Sequence, residues 1–213
     1  MGAAVGKKPT RLAKSEPYIK CAACKLAANE AWLQVAQKAA ELPAGTLGEL
    51  AIDEVLDGIC DPDDNGGEWM THIDVVQKEV SDILTLENKG ELGECRRECN
   101  TIAHACRAVF DEHREDMTEM LYKNYRHSEK KLSGEKFVSR ICTKLSKFCP
   151  GKKPPKGFQH RDENWMPIVD ADGYKMRKMQ HALNKHAKTG GGQPVQFLDP
   201  MGPGMLDAGD EDL

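Results

Sequence analysis

Apolar residues recur at three- and four-residue steps through the middle of the chain, the spacing of amphipathic helices. From about Tyr18 to Leu42, the residues Cys21, Cys24, Leu26, Ala28, Trp32, Val35 and Ala39 fall near one stripe. Ser15-Glu16-Pro17 is a suitable start, with proline in the first turn, and Pro43-Ala44-Gly45 is the stop. Thr46 is placed to cap a second helix, with Leu47, Leu50, Ile52, Val55 and Leu56 facing inward and Cys60 at its end. The clearest helix runs from about Glu91 to His127. There Ile102, Cys106, Val109, Phe110, His113, Met117, Met120, Leu121 and Tyr125 form one face, and Arg96, Arg97, Glu112, Arg114, Glu115 and Asp116 the other. A last helix, about Ser133–Phe148, presents Phe137, Ile141, Leu145 and Phe148. Between Trp69 and about Leu86, the positions Ile73, Val76, Val80, Ile83 and Leu84 also fit a helix, against a β-branched content that favours a strand. No alternating strand stands out, so the expected class is all-α.

The two ends differ from this middle. Residues 1–15 are basic and rich in Gly and Ala, and predict a mobile segment without the apolar stretch of a signal peptide. Residues 16–149 hold every cysteine and form the expected domain. From Pro150, CPGKKPPKG is rich in helix breakers, and residues 150–213 predict an extended Pro/Gly/Met-rich tail. One short helix is expected in it near Gly173–Lys188, where Tyr174, Met176, Met179 and Leu183 approach helical spacing. Exposed Met176, Met179, Met201 and Met205 would suit docking to a partner, methionine being an adaptable apolar side chain.

Composition changes this picture in one respect. Aromatic residues are 6% of the chain and charged residues 30%, so a small apolar core needs cross-links. The net charge of -4 gives no footing for nucleic acid. No apolar run reaches the roughly 18 residues of a membrane-spanning helix.

The cross-links are at hand. The eight cysteines are Cys21, Cys24, Cys60, Cys95, Cys99, Cys106, Cys142 and Cys149. Cys21 and Cys24 lie one turn apart on the first helix, Cys142 and Cys149 two turns apart on the last. If those helices run antiparallel, Cys21 can join Cys149 and Cys24 can join Cys142, like rungs. Cys95 and Cys99, one turn apart, could bridge locally. Two other uses of CAAC stay open: a redox pair, which would need a thioredoxin-like setting that the pattern does not show, and a zinc site shared with Cys95 and Cys99.

The segments KCAACKLAANEAW, LDGICD, ACRAVFDEHREDMTEML and ICTKLSKFC together resemble the framework of saposin-like proteins, and more closely the canopy family, also described as MIR-interacting saposin-like proteins. The resemblance covers about residues 18–149, and the tail KMRKMQHAL…DPMGPGM is similar to tails of that family. It implies a saposin-like, disulfide-stapled helical domain with extended tails, and a Cys60–Cys106 bridge. It also implies a non-enzymatic accessory that binds client or partner proteins in the endoplasmic reticulum or another oxidising lumen. The last four residues, Asp210-Glu211-Asp212-Leu213, loosely resemble a luminal return signal. A saposin-type lipid binder and a structural subunit of a larger assembly are the alternatives. The polar stretches 61–70 and 87–95 and the acidic helices weigh against anionic lipid.

Little else in the chain suggests chemistry. His104 and His113, with Asp111, Glu112, Glu115 and Asp116 near them, could form a metal or acid–base site, but read more simply as a charged helix face. Asp61–Gly67 has spaced acids but no closing Glu of a calcium loop, and reads as a turn. No nucleophile–base–acid motif or phosphate loop is recognisable. No enzyme, cofactor or metal is therefore expected.

Overall fold

The computed structural model describes residues 11–43, 47–78, 82–126, 132–161 and 164–190, without the side chains of residues 186 and 188–190. Helix α1 spans Glu16–Glu41, with Pro17 in its first turn. Its buried face is made largely of small residues, Ala23, Ala27, Ala28 and Ala31, with Cys24 and Val35. Small side chains let a second helix approach closely, and α1 packs against the long helix α3, Arg97–Arg126. The buried face of α3 carries Ile102, Cys106, Val109, Phe110, Met117 and Leu121, the stripe expected from its periodicity.

Helix α2, Glu49–Gly58, lies against α3 through Ile52 and Leu56. Leu50, expected to face inward, is instead 75% exposed. Gly48 occupies the cap position of α2, and Thr46 lies outside the described residues. Helix α4, Gly134–Ser139, is capped by Ser133, whose hydroxyl accepts from Lys136 N–H at 3.3 Å. It continues as π-helical turns over Arg140–Leu145, and packs Phe137 and Ile141 into the core shared by α1, α2 and α3.

The stretch after α2 departs from expectation. A 3₁₀ helix, Asn65–His72, begins at Asp64, whose side chain accepts from Gly66 N–H at 3.1 Å. Two antiparallel strands follow, β1 (Ile73–Gln77) and β2 (Leu84–Asn88), with Val75 opposite Leu86. The all-α expectation is corrected on this point: the domain is mostly helical with one β-hairpin. The helical reading fails because Ile73, Val75 and Leu84 pack as strand residues against Ile19, Ala23, Ile102, Ala103 and Ala105. Polar Asp74, next to them, is held by Lys89 at 2.9 Å.

The domain also runs past Cys149. The sequence pattern ends it there, yet the compact unit extends to Ala171. Phe158 meets the Tyr18 ring edge-on at 4.9 Å. Gln77 Nε2 donates to Phe158 O at 2.6 Å, and His160 N–H donates back to Gln77 Oε1 at 2.6 Å. Farther on, Trp165 Nε1 donates to Thr71 O at 3.1 Å, Glu94 N–H to Met166 O at 2.9 Å, and Ile168 N–H to Leu92 O at 3.0 Å. Residues 150–161 and 164–168 therefore form a strap held by hydrogen bonds to its backbone and from its side chains, which need no apolar periodicity. Helix α5, Ala171–Gly190, covers the short tail helix expected near Gly173–Lys188 and, from Asp172, belongs to a second unit. At the other end, residues 11–15 are tied down: Leu12 N–H donates to Thr101 Oγ1 at 2.7 Å, and Arg11 pairs with Glu16 at 3.2 Å.

The turn into the 3₁₀ helix is tightly built. A Cβ on Gly67 would sit 2.0 Å from the Asp61 carbonyl oxygen, so backbone would have to move. Gly67→Ala should cost about 2–3 kcal/mol, read as a lowered urea midpoint at unchanged slope. An unchanged midpoint would contradict the packing of this turn.

Candidate functional site

Four disulfides organise the domain. Cys21 is joined to Cys149 with Cα atoms 5.0 Å apart, and Cys24 to Cys142 at 5.8 Å. Cys60 is joined to Cys106 at 5.5 Å, and Cys95 to Cys99 at 5.1 Å. No cysteine is free. Each cysteine of CAAC thus bonds a partner more than 100 residues away, which overturns both the redox-pair and the zinc readings of that motif. Cys24 and Cys142 are fully buried, so this rung lies inside the core. Cys95–Cys99 links the residue two before α3 to its first turn, where backbone N–H groups lack helical partners.

Where the strap crosses the hairpin, the structure assembles a polar chain that no motif announces. Ser15 Oγ lies 2.9 Å from His160 Nδ1, and His160 Nε2 lies 2.9 Å from Glu98 Oε1. Glu98 Oε2 accepts from Val75 N–H at 3.1 Å. A hydroxyl, an imidazole and a carboxylate in series is the order used to activate a serine. Here the His160 side chain is 1% exposed, and Ser15 and Glu98 are buried. The backbone N–H groups of Ser15 and Glu16 both donate to Leu12 O, so neither is offered to a substrate oxyanion. The chain instead rivets the strap to the start of α1, to α3 and to β1. It also explains why Ser15, at the cap position of α1, makes no side-chain capping bond. The three residues are separated by 145 and 62 positions, too far apart for any local signature.

Beside it, Glu16 collects Arg11 at 3.2 Å, Lys20 at 3.4 Å and His104 at 3.1 Å. An acid in the first turn of α1 also complements the helix dipole. His104 Nδ1 thus lies against the Glu16 carboxylate, while His113 is 3.8 Å from Asp116 and 4.0 Å from Glu112. Among the described residues no group of three or more His, Cys, Asp or Glu could hold a metal ion. Asp61–Asp64 forms a turn as read from the sequence, with Asp61 Oδ1 accepting from Asp63 N–H at 3.1 Å, while Asn65–Gly67 already belong to the 3₁₀ helix.

Two surfaces remain. On α5, Met176, Met179 and Leu183 are 42%, 53% and 40% exposed. Helical spacing puts them on one face, with Arg177, His181 and Lys185 on the other. Met201 and Met205 lie outside the described residues. The other surface is an open groove of about 530 Å³ between α2 and α3, lined by Glu49, Leu50, Asp53, Glu115, Thr118 and Glu119. Arg114 clips the two helices together beside it, at 3.3 Å from Asp53 and 2.6 Å from Asp57. The Asp57 hydrogen bond, helped by the nearby Asp53 and Asp111 charges, holds the Arg114 pKa above its usual value. A raised arginine pKa keeps the cation charged at every pH the fold survives, so salt rather than pH probes this clip. Arg114→Ala should lower stability by about 1 kcal/mol at low salt and by less at high salt, measured by urea unfolding. A loss independent of salt would point to packing instead.

Among the described residues, no helix is long and apolar enough to cross a membrane. Comparison with protein-family models, curated proteins and solved structures finds no match for this chain.

Proposed function

We propose that this chain is a non-enzymatic, saposin-like binding protein of an oxidising lumen, which takes hold of polypeptide partners through the apolar face of α5. The observation that carries this reading is the exposure of Met176, Met179 and Leu183 on a single helix face. Methionine and leucine presented at helical spacing suit a partner groove, because methionine adapts its shape to what it meets. Four disulfides suit an oxidising environment such as the secretory lumen. Most of the domain's apolar side chains are committed to its core, where α1, α3 and α4 pack together and two disulfide rungs tie α1 to the segment that holds Cys142 and Cys149. The resemblance to canopy proteins supports a client-binding role in the endoplasmic reticulum.

A second reading has its own support. Lys175, Arg177, Lys178 and Lys185 share α5 with the apolar face, and a basic amphipathic helix also suits an anionic lipid surface. One pair of measurements separates the two. Affinity capture from the secretory compartment should recover a protein with the wild-type chain and lose it with Met176→Ser/Met179→Ser/Leu183→Ser. Flotation with anionic vesicles across acidic to neutral pH should leave the chain unbound. Robust flotation, abolished by the same triple substitution, would replace the protein-binding reading with the lipid one.

A further inference from the structure

The groove between α2 and α3 has an arrangement of charge that the fold does not use. Glu49 and Asp53 stand one turn apart on α2, and Glu115 and Glu119 one turn apart on α3. Asp53 is engaged by Arg114 and Glu119 by Lys123. Glu49 and Glu115 have no ion-pair partner among the described residues. Like charges lining one groove repel each other, so the pair is a cost to the isolated domain.

Thr118 adds an independent observation. It lines the same groove, is 9% exposed, and its Oγ1 has no hydrogen-bond partner. A threonine inside a helix ordinarily donates to the carbonyl four residues back. Thr101, on the same helix, does so, with Oγ1 donating to Arg97 O at 2.6 Å. Thr118 does not, which leaves a buried hydroxyl unsatisfied. Leu50 stands among these groups at 75% exposure, a large apolar side chain placed beside carboxylates.

We propose that this groove is a docking site for a lysine- or arginine-rich polypeptide segment with an apolar anchor. Glu49 and Glu115 hold the cations, Leu50 meets the anchor, and the Thr118 hydroxyl bonds a polar group of the segment. Spread over two helices, the four carboxylates suit several separate cations rather than one. Nucleic acid and anionic lipid carry the same sign as the groove and are repelled. A volume of about 530 Å³ accommodates a few side chains of such a segment. The site lies in the unit that ends at Ala171, and it stands or falls apart from the role given to α5.

The test uses the full, oxidised chain and a fluorescein-labelled helical peptide of Lys, Leu and Ala, with a Glu-for-Lys counterpart as control. Fluorescence anisotropy should show binding of the lysine peptide that weakens with salt, and none of the glutamate peptide. Glu49→Lys/Glu115→Lys should weaken it by about tenfold or more, whereas Glu91→Lys/Glu135→Lys, the same charge change at exposed positions elsewhere, should weaken it by less than about threefold. Thr118→Val should weaken binding by about threefold while the melting temperature stays level or rises, since it removes an unsatisfied hydroxyl. Glu49→Gln/Glu115→Gln gives the same reading should charge reversal disturb the fold. No binding of the lysine peptide, equal weakening by the groove and control pairs, or wild-type affinity in Thr118→Val would overturn the proposal.

Discussion

Replacing Cys24 and Cys142 together by alanine should lower the stability of the oxidised protein by about 3 kcal/mol, and replacing Cys21 and Cys149 as well should bring the loss to about 8 kcal/mol. The two bonds span 118 and 128 residues, and either one alone would be worth about 5 kcal/mol in chain-entropy terms. They are not additive, because they lie side by side. Once Cys21–Cys149 is closed, the second rung closes only a ring of roughly ten further residues, the short runs 21–24 and 142–149. Truncating two fully buried cysteines adds a small packing loss. The first pair should therefore lower the melting temperature by roughly 6–12 °C. Removing both approaches the whole stability of an ordinary domain, roughly 5–15 kcal/mol, and leaves a chain at the edge of folding. Urea unfolding under non-reducing conditions measures both. Equal losses for one pair and for both would contradict the parallel-rung geometry.

His160→Ala should cost about 3 kcal/mol, against about 1 kcal/mol for Ser15→Ala. The imidazole is the centre of the rivet: its removal leaves a buried Glu98 carboxylate oxygen without its 2.9 Å partner, whereas loss of the Ser15 hydroxyl leaves the His160–Glu98 contact in place. The damage should be local before it is global. Hydrogen exchange should accelerate at residues 158–161 and 164–168 and at β1, whose Val75 N–H is bonded to Glu98, and stay slow in the buried face of α3. The same experiment separates a rivet from a triad. A fluorophosphonate probe should leave Ser15 unlabelled, because the hydroxyl is buried and the N–H groups of Ser15 and Glu16 are both engaged by Leu12 O. Labelling at Ser15, abolished in His160→Ala, would make the arrangement catalytic and remove the structural account of it.

How far the sequence foretold this structure depends on what holds each part. The helices α1, α3 and α4 were legible because each buries one stripe, and a stripe leaves a period. The pairing of the outer disulfide rungs was expected from cysteine spacing, although Cys149 lies past the helical segment that ends at Leu145 rather than two turns along it. The hairpin was not legible. Ile73, Val76, Val80, Ile83 and Leu84 mimic a helical period, while the strand facing that places Val75 inside is masked by Asp74, a polar residue buried because Lys89 reaches it. The strap was missed for another reason. Apart from Phe158 and Trp165 it offers few apolar residues, and its hold comes from backbone bonds to Leu92 and Glu94, from side-chain bonds through Trp165 and Gln77, and from one buried histidine. Neither leaves a pattern in a linear sequence. The acidic groove depends on which faces of α2 and α3 meet, and Leu50, read as a core residue, turned out to mark its lip.

Two parallel disulfide rungs join α1 to the end of the helical domain. Tryptic mapping of the oxidised protein tests this pairing directly. Cleavage after Lys20 and Lys25 gives CAACK, after Arg140 and Lys144 gives ICTK, and after Lys147 and Lys152 gives FCPGK. The rungs should yield one three-chain species in which CAACK holds both ICTK and FCPGK. Fragmentation between Ala22 and Ala23 should leave FCPGK on Cys21 and ICTK on Cys24. A CAACK peptide closed on itself, or one with free thiols, would contradict the pairing.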